Sequence, residues 1–337
     1  MDPAAALDRI VYLLDRDLAE GQKVRAFARA RDVVEATDPG ELAALHAAGK
    51  LTDLAGIGPT TGRVIAEALA GGTPAYLAKL EDETVVPVGE GGELRTALRG
   101  DCHTHSTWSD GGAPIAKMAH TALALGHEYM VLTDHSPRLT VAHGLTAERL
   151  RAQLEEVRAL NEDLAPFRIL TGIEVDILED GALDQTEDIL AELDVVVASV
   201  HSKLRMERRE MTRRMVRAVA SPHVDILGHC TGRKLVGRGR PPSTFDAELV
   251  FAACAQFGTA LEINCRPERQ DPPEDLLELA IEWELDFAID TDAHAPGQME
   301  WQLYGCDKAA RHGIPPERIV NTREADDLVA WAASHAA

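Results

Sequence analysis

From residue 98 onward the chain repeats one pattern seven times, a short apolar run followed by a loop or a stretch of helical periodicity. The runs fall near 98–102, 129–133, 168–174, 195–200, 224–227, 260–263 and 287–290. Helical patterns occupy 146–161, 206–220, 246–257 and 273–284. Seven strand-plus-helix units predict a parallel α/β architecture, and a doubly wound sheet or a barrel satisfies the pattern equally. A chain of 337 residues also leaves room for a second, smaller domain.

Residues 1–80 read differently, as helices alone. The segment 6–19 places Ile10, Leu13, Leu14 and Leu18 on one stripe, and 23–36 and 39–48 follow with similar periodicity. Asp38 before Pro39 is a helix-start signal. A glycine turn, Leu54-Ala-Gly56-Ile-Gly58-Pro59, opens a further helix through Leu69. Residues 81–97, acidic and glycine-rich, read as a linker. The expected organisation is a helical domain over 1–80, a linker over 81–97 and an α/β domain over 98–337.

The chemistry sits where the apolar runs end. The first closes on His103-Thr-His105, with Asp110 in the next loop, and the second on Asp134-His135. The third reaches Glu174, the fourth His201, the fifth His229 and the seventh Asp292-Ala-His294. Residues i and i+2 of a strand share a face, so His103 and His105 can point together, as can Asp292 and His294. Carboxyl-terminal strand ends form the active face of parallel α/β folds. One histidine there is unremarkable, whereas six with three acids make a metal site. The mixed imidazole and carboxylate donors suit zinc, manganese or iron. Nine ligands imply two or three divalent ions, with Glu174 as the bridge. Such a cluster activates a hydroxide and clamps the oxygens of a phosphoryl centre. Glu174 and Asp292 are therefore expected to be catalytic. Seven other histidines, among them His127 and His335, read as solvated or structural. Asp290 and Asp134, close to ligands, are expected to orient histidines from behind.

The successive motifs DCHTHSTWSDG, LTDHS, GIEVDIL, SVHSK, DILGHCTGRKL, LEINCRPER and AIDTDAHAPGQM resemble those of the PHP (polymerase and histidinol phosphatase) superfamily over residues 98–321. The resemblance implies a distorted (β/α)7 barrel with a trinuclear site. One ion would take His103, His105, Glu174 and Asp292. A second would take Glu174, His201 and His229, and a third Asp110, His135 and His294. The stretch 6–80 resembles the small amino-terminal domain of family X DNA polymerases, and Leu54–Ala66 a helix-hairpin-helix. Gly56 and Gly58 would let backbone N–H groups meet a nucleic-acid phosphate. Palm, fingers and thumb have no counterpart between the two regions, so no polymerase activity is expected. The position of that family's Schiff-base lysine holds Val64, so no lyase activity is expected.

The formal net charge of −22, from 34 basic and 56 acidic residues, disfavours broad nucleic-acid binding. Residues 203–240 depart from it, with 11 Lys/Arg against 3 Asp/Glu. Arg233, directly after a ligand-bearing strand, is expected to orient the substrate phosphate, with Arg266 and Arg269 as further contacts. Arg208–Arg217 reads as a solvated helix face. The sequence shows no signal peptide and no apolar run of membrane length, and its five cysteines suit a reducing cytoplasm. The expected activity is metal-dependent hydrolysis of DNA 3′ ends, as a 3′-to-5′ exonuclease or an end-cleaning phosphodiesterase in repair. The alternative is a small-molecule phosphomonoesterase of histidinol-phosphatase type.

Overall fold

The computed structural model describes residues 1–336, which form two compact units, one over Met1–Val86 and one from Pro87 onward. The first holds α1 (Pro3–Arg16), α2 (Gly21–Ala36), α3 (Pro39–Ala47), α4 (Pro59–Leu69) and α5 (Ala75–Glu83). Asp2 caps α1 by accepting from the Ala5 N–H at 2.7 Å, and Asp38 caps α3 through Gly40 and Glu41. Leu7, Ile10, Leu13, Leu14, Phe27 and Ile65 meet in the core. Leu18, expected on the stripe of the first helix, lies beyond its end in the left-handed region (φ 52°) and is exposed. The helix stops at Arg16, and the Ala19 N–H returns to the Leu14 carbonyl.

The second unit runs α6 (Gly92–Ala97), β1 (Gly100–Thr104), α7 (Ile115–Ala124), β2 (Tyr129–Leu132), α8 (Ala147–Leu164), β3 (Arg168–Asp176), α9 (Glu187–Leu190) and β4 (Val195–Ser199). It continues with α10 (Arg208–Val219), β5 (Ile226–Leu227), α11 (Ala247–Phe257), β6 (Ala260–Asn264), α12 (Glu274–Glu282), β7 (Phe287–Asp290), α13 (Gln302–Arg311) and α14 (Ala325–Ala333). The seven strands are parallel and lie in chain order. Between β7 and β1 the ladder thins to one parallel bridge, Thr104 with Ala293, while the Asp290 carboxylate accepts from the Cys102 N–H at 2.8 Å. The sheet is thus a nearly closed barrel, which decides between the two architectures the pattern allowed.

Helices cover the outside by burying one apolar face each. Ile115, Met118, Ala119 and Ala122 of α7 pack with Met130 and Leu132 of β2 and Ile169 of β3. Each large side chain buried this way contributes about 1.5–3 kcal/mol. The stretch 81–97, expected as a linker, is divided. Its start completes α5, and its end forms α6 and joins the barrel unit, where the Glu90 N–H donates to Asp307 at 2.7 Å. Among the described residues no helix is long and apolar enough to cross a membrane.

Candidate metal centre

Parallel strands all deliver their carboxyl ends to one mouth, so residues far apart in sequence converge there. Five imidazoles, His103, His105, His135, His201 and His229, form a ring with successive centroids 5.1, 4.5, 5.2, 5.3 and 6.0 Å apart. Glu174 stands at its centre. Its Oε2 lies 3.3 Å from His103 Nε2, 3.6 Å from His105 Nε2 and 2.9 Å from His135 Nδ1. Its Oε1 lies 3.1 Å from His201 Nε2 and 2.9 Å from His229 Nε2. His294 stacks on His105 at 4.1 Å, and Asp110 closes the outer edge at 3.4 Å from His294 Nε2 and 3.5 Å from His135 Nε2. Asp292 reaches His105 Nε2 at 3.4 Å from a left-handed backbone position (φ 51°). All nine expected ligands therefore meet. The tightest groupings differ from those the resemblance implies, because His105 joins Asp110, His135 and His294 while His135 joins Glu174 and His201.

The ring nitrogens fit divalent ions. Seven of them are buried with no hydrogen-bond partner: His103 Nε2, both nitrogens of His105 and of His201, His135 Nδ1 and His229 Nδ1. A buried polar atom without a partner costs about 1–3 kcal/mol, which ligation removes. The carboxylates complement them. Burial opposes ionisation of Glu174, yet His201, His103 and His135 hold it well below the usual range. Asp292 is likewise buried, and Arg266 and the histidines hold it well below. His105 is kept neutral by burial, His294 and His135. An ionised carboxylate and a neutral imidazole ligate metals, and although Glu174 raises His103 and His201 against the cost of burial, ligation displaces their protons.

Cations flank the acids. Arg266 Nη1 lies 3.5 Å from Asp292 Oδ1 and donates to the Asp292 carbonyl at 2.7 Å, and Arg269 Nε lies 3.4 Å from Asp292 Oδ2. Arg233 is placed otherwise. Its guanidinium donates to the carbonyls of Arg269 (2.9 Å) and Gln270, so it braces the loop that carries Arg269. In the helical unit, Gly56 occupies a conformation that glycine favours (φ 101°), and the Gly58 N–H donates to Thr61 Oγ1 at the start of α4. Both glycines line a pocket of about 430 Å³ with Lys23, Phe27 and Tyr76.

The PHP domain matches residues 101–266. A probable phosphatase of Thermoanaerobacter sp. (strain X514) is 31% identical over 239 residues, covering 66% of this chain and 89% of that protein. The chain belongs to the PHP family. The "DNA polymerase/3'-5' exonuclease PolX" of Bacillus subtilis (strain 168) is 41% identical over 234 residues, which are 69% of this chain and only 41% of the Bacillus protein. A solved histidinol phosphate phosphatase from Lactococcus lactis, complexed with zinc, L-histidinol and phosphate, aligns at 19% identity with a TM-score of 0.44, covering 64% of this chain and 92% of that one. As a PHP protein with this donor set, the chain is a metal-dependent phosphoesterase.

The PHP barrel also uses residues that sequence reasoning missed. Glu262, fully buried on β6, accepts from His103 Nδ1 at 2.5 Å and from the His229 N–H. It turns the Nε2 of His103 toward Glu174 and fixes the strand end that carries His229. The carboxylates expected in that role have other partners. Asp290 accepts from Cys102 and Asn321, and Asp134 from Ser106, Ser109 and Gln153. Asp176 accepts from the His201 N–H at 3.1 Å. Arg214 is not on a solvated face. It is buried and donates to the carbonyls of Ile177 and Ser202, tying together the loops that follow Glu174 and His201.

Proposed function

We propose that this phosphoesterase hydrolyses phosphodiesters at DNA 3′ ends, trimming or unblocking them. Supporting the reading is the run of basic loops beside the histidine ring, in a chain whose net charge is −22. The nine residues His103, His105, Asp110, His135, Glu174, His201, His229, Asp292 and His294 would hold two or three ions of zinc, manganese or iron. When bound, such ions supply Lewis acidity and a water of lowered pKa. Glu174, between five imidazoles, holds the ring's donors around one centre. Arg266 and Arg269 orient the phosphate against Asp292, and Arg233 keeps the Arg269 loop in place. The helical unit adds a grip on the DNA backbone through the turn at Gly56 and Gly58. The reading includes no Schiff-base step, since Val64, a buried residue, takes the position at which the lysine is expected. The Bacillus relative is named for a 3′-5′ exonuclease as well as a polymerase, which favours the same reading.

The second reading is a phosphomonoesterase of histidinol-phosphatase type. It is favoured by the acidic chain and by the Thermoanaerobacter relative, named a probable phosphatase, 89% of which is covered. One experiment separates them. The purified protein, supplied with manganese or zinc, is incubated with 3′-labelled and 3′-blocked DNA and in parallel with histidinol phosphate, with Asp292→Asn as the blank. Shortening or unblocking of DNA that the variant loses is expected. Phosphate release from histidinol phosphate alone overturns the DNA reading in favour of the second.

A further inference from the structure

The loop after β5 folds into a short ribbon. Lys234 and Arg240 face each other antiparallel, with N–H to O distances of 2.9 and 2.8 Å. Gly237 and Gly239 turn the tip at φ 72° and 61°, which glycine adopts without penalty. The Leu235 N–H donates to the Glu268 carbonyl at 2.7 Å, and Arg240 Nε to the Gly232 carbonyl at 2.6 Å. The ribbon is thus tied to the loop that sets Arg266 and Arg269 against Asp292.

Two features of the ribbon are not accounted for by these ties. Leu235 and Val236, adjacent at the tip, are 53% and 61% exposed. The cations are also crowded. Lys234, an exposed residue, is lowered by desolvation and then by Arg269, Arg240 and Arg266, and Arg240 is lowered by burial and then by Arg269. Glu268 and Asp271 are the acids that act against this crowding. No acid occurs between Gly232 and Phe245, although acids outnumber bases in the whole chain. Like charges gathered this way cost folding energy and are relieved by an anion.

One phosphate is served by Arg266 and Arg269, which leaves Lys234 and Arg240 surplus to a monoester. A polynucleotide brings a second phosphate and an apolar base face alongside it. Nucleic-acid strands are held by this pairing of cations with base-covering side chains. We propose that the ribbon 232–240 is a strand-binding element of this site, in which Lys234 and Arg240 hold the phosphate next to the scissile one and Leu235-Val236 covers the flanking base. The proposal rests on the DNA reading above and narrows it to substrates that carry a second phosphate beside the scissile one.

The test compares the native protein with Lys234→Ala/Arg240→Ala and Leu235→Ser/Val236→Ser. Two substrates are used, a single-stranded oligonucleotide and the p-nitrophenyl ester of thymidine 5′-monophosphate, a diester with no neighbouring phosphate. In both variants the ratio of kcat/KM for oligonucleotide over small diester should fall about tenfold or more, the result of losing contacts of about 1.4 kcal/mol. Binding of a fluorescent oligonucleotide should lose about 0.7 of salt slope per phosphate contact in the cation variant, and none in the apolar one. Equal losses on both substrates, or an unaltered ratio, overturn the ribbon's role while leaving DNA hydrolysis standing. A native protein that cleaves the small diester but no oligonucleotide overturns the DNA reading itself, and the ribbon's role with it.

Discussion

The two ends of the barrel use the same residue types to opposite effect. At the amino-terminal ends of the strands, polar groups close on one another. Asp225 accepts from the Val196 N–H at 2.7 Å and from His335 Nδ1 at 2.8 Å, and Asp194 accepts from the N–H and hydroxyl of Thr171. Each buried histidine there keeps one bonded nitrogen, as His127 does with Arg95. At the carboxyl-terminal ends, both ring nitrogens of His105 and of His201 are buried without a hydrogen bond. The floor histidines thus leave one nitrogen each without a partner, whereas His105 and His201 leave both, the pattern that bound ions would complete. A buried histidine is therefore diagnosed by its lack of partners and not by its presence.

If that contrast is right, a cut at the floor should cost stability and spare metal. Asp225→Ala orphans the Val196 N–H and the His335 ring, at about 1–3 kcal/mol for each group. A loss of about 2–4 kcal/mol in urea unfolding is expected, with metal content per folded chain unchanged. Reduced metal content in the folded variant would show that the two ends are coupled. Glu262→Gln probes the mouth in the same spirit. Losing the carboxylate beneath His103 should weaken metal binding about 10- to 100-fold, read by chelator competition, with a much smaller change in unfolding free energy. A large stability loss at unchanged metal affinity would make Glu262 a core residue only.

How much of this was legible follows from the same contrast. All seven strands were legible because a two-sided buried run is apolar throughout, and the nine converging residues because they follow those runs. Glu262 was not, since attention to strand ends passes over a strand's interior. Its signal was nevertheless there, as a carboxylate inside the run 260–263 cannot be buried without a donor. Arg214 was hidden by composition. Among five arginines between 208 and 217, periodicity cannot say which one turns inward to bind carbonyls, because that depends on where the loops after β3 and β4 end. Arg233 shows the limit of proximity in sequence, since adjacency to His229's strand put it near the site but its guanidinium is engaged by the carbonyls of Arg269 and Gln270.

The smallest expected effect bears on a histidine of the floor. Burial, and then the charge of Arg95, pushes His127 down to about 3. In the unfolded chain it titrates near 6.5. Between these values the unfolded state holds one proton more than the folded state. Stability attributable to His127 is therefore complete above about pH 6.5 and falls by about 1.4 kcal/mol per pH unit as the pH drops toward 3. Unfolding free energies measured at pH 7, 6 and 5 for the native protein and His127→Gln should diverge at pH 7 and approach one another on acidification, because glutamine has no proton to take up. Parallel curves would mean that His127 takes up its proton as readily in the folded state as in the unfolded chain. Burial and Arg95 would then not keep it neutral, and the floor would be less self-sufficient than its hydrogen bonds make it.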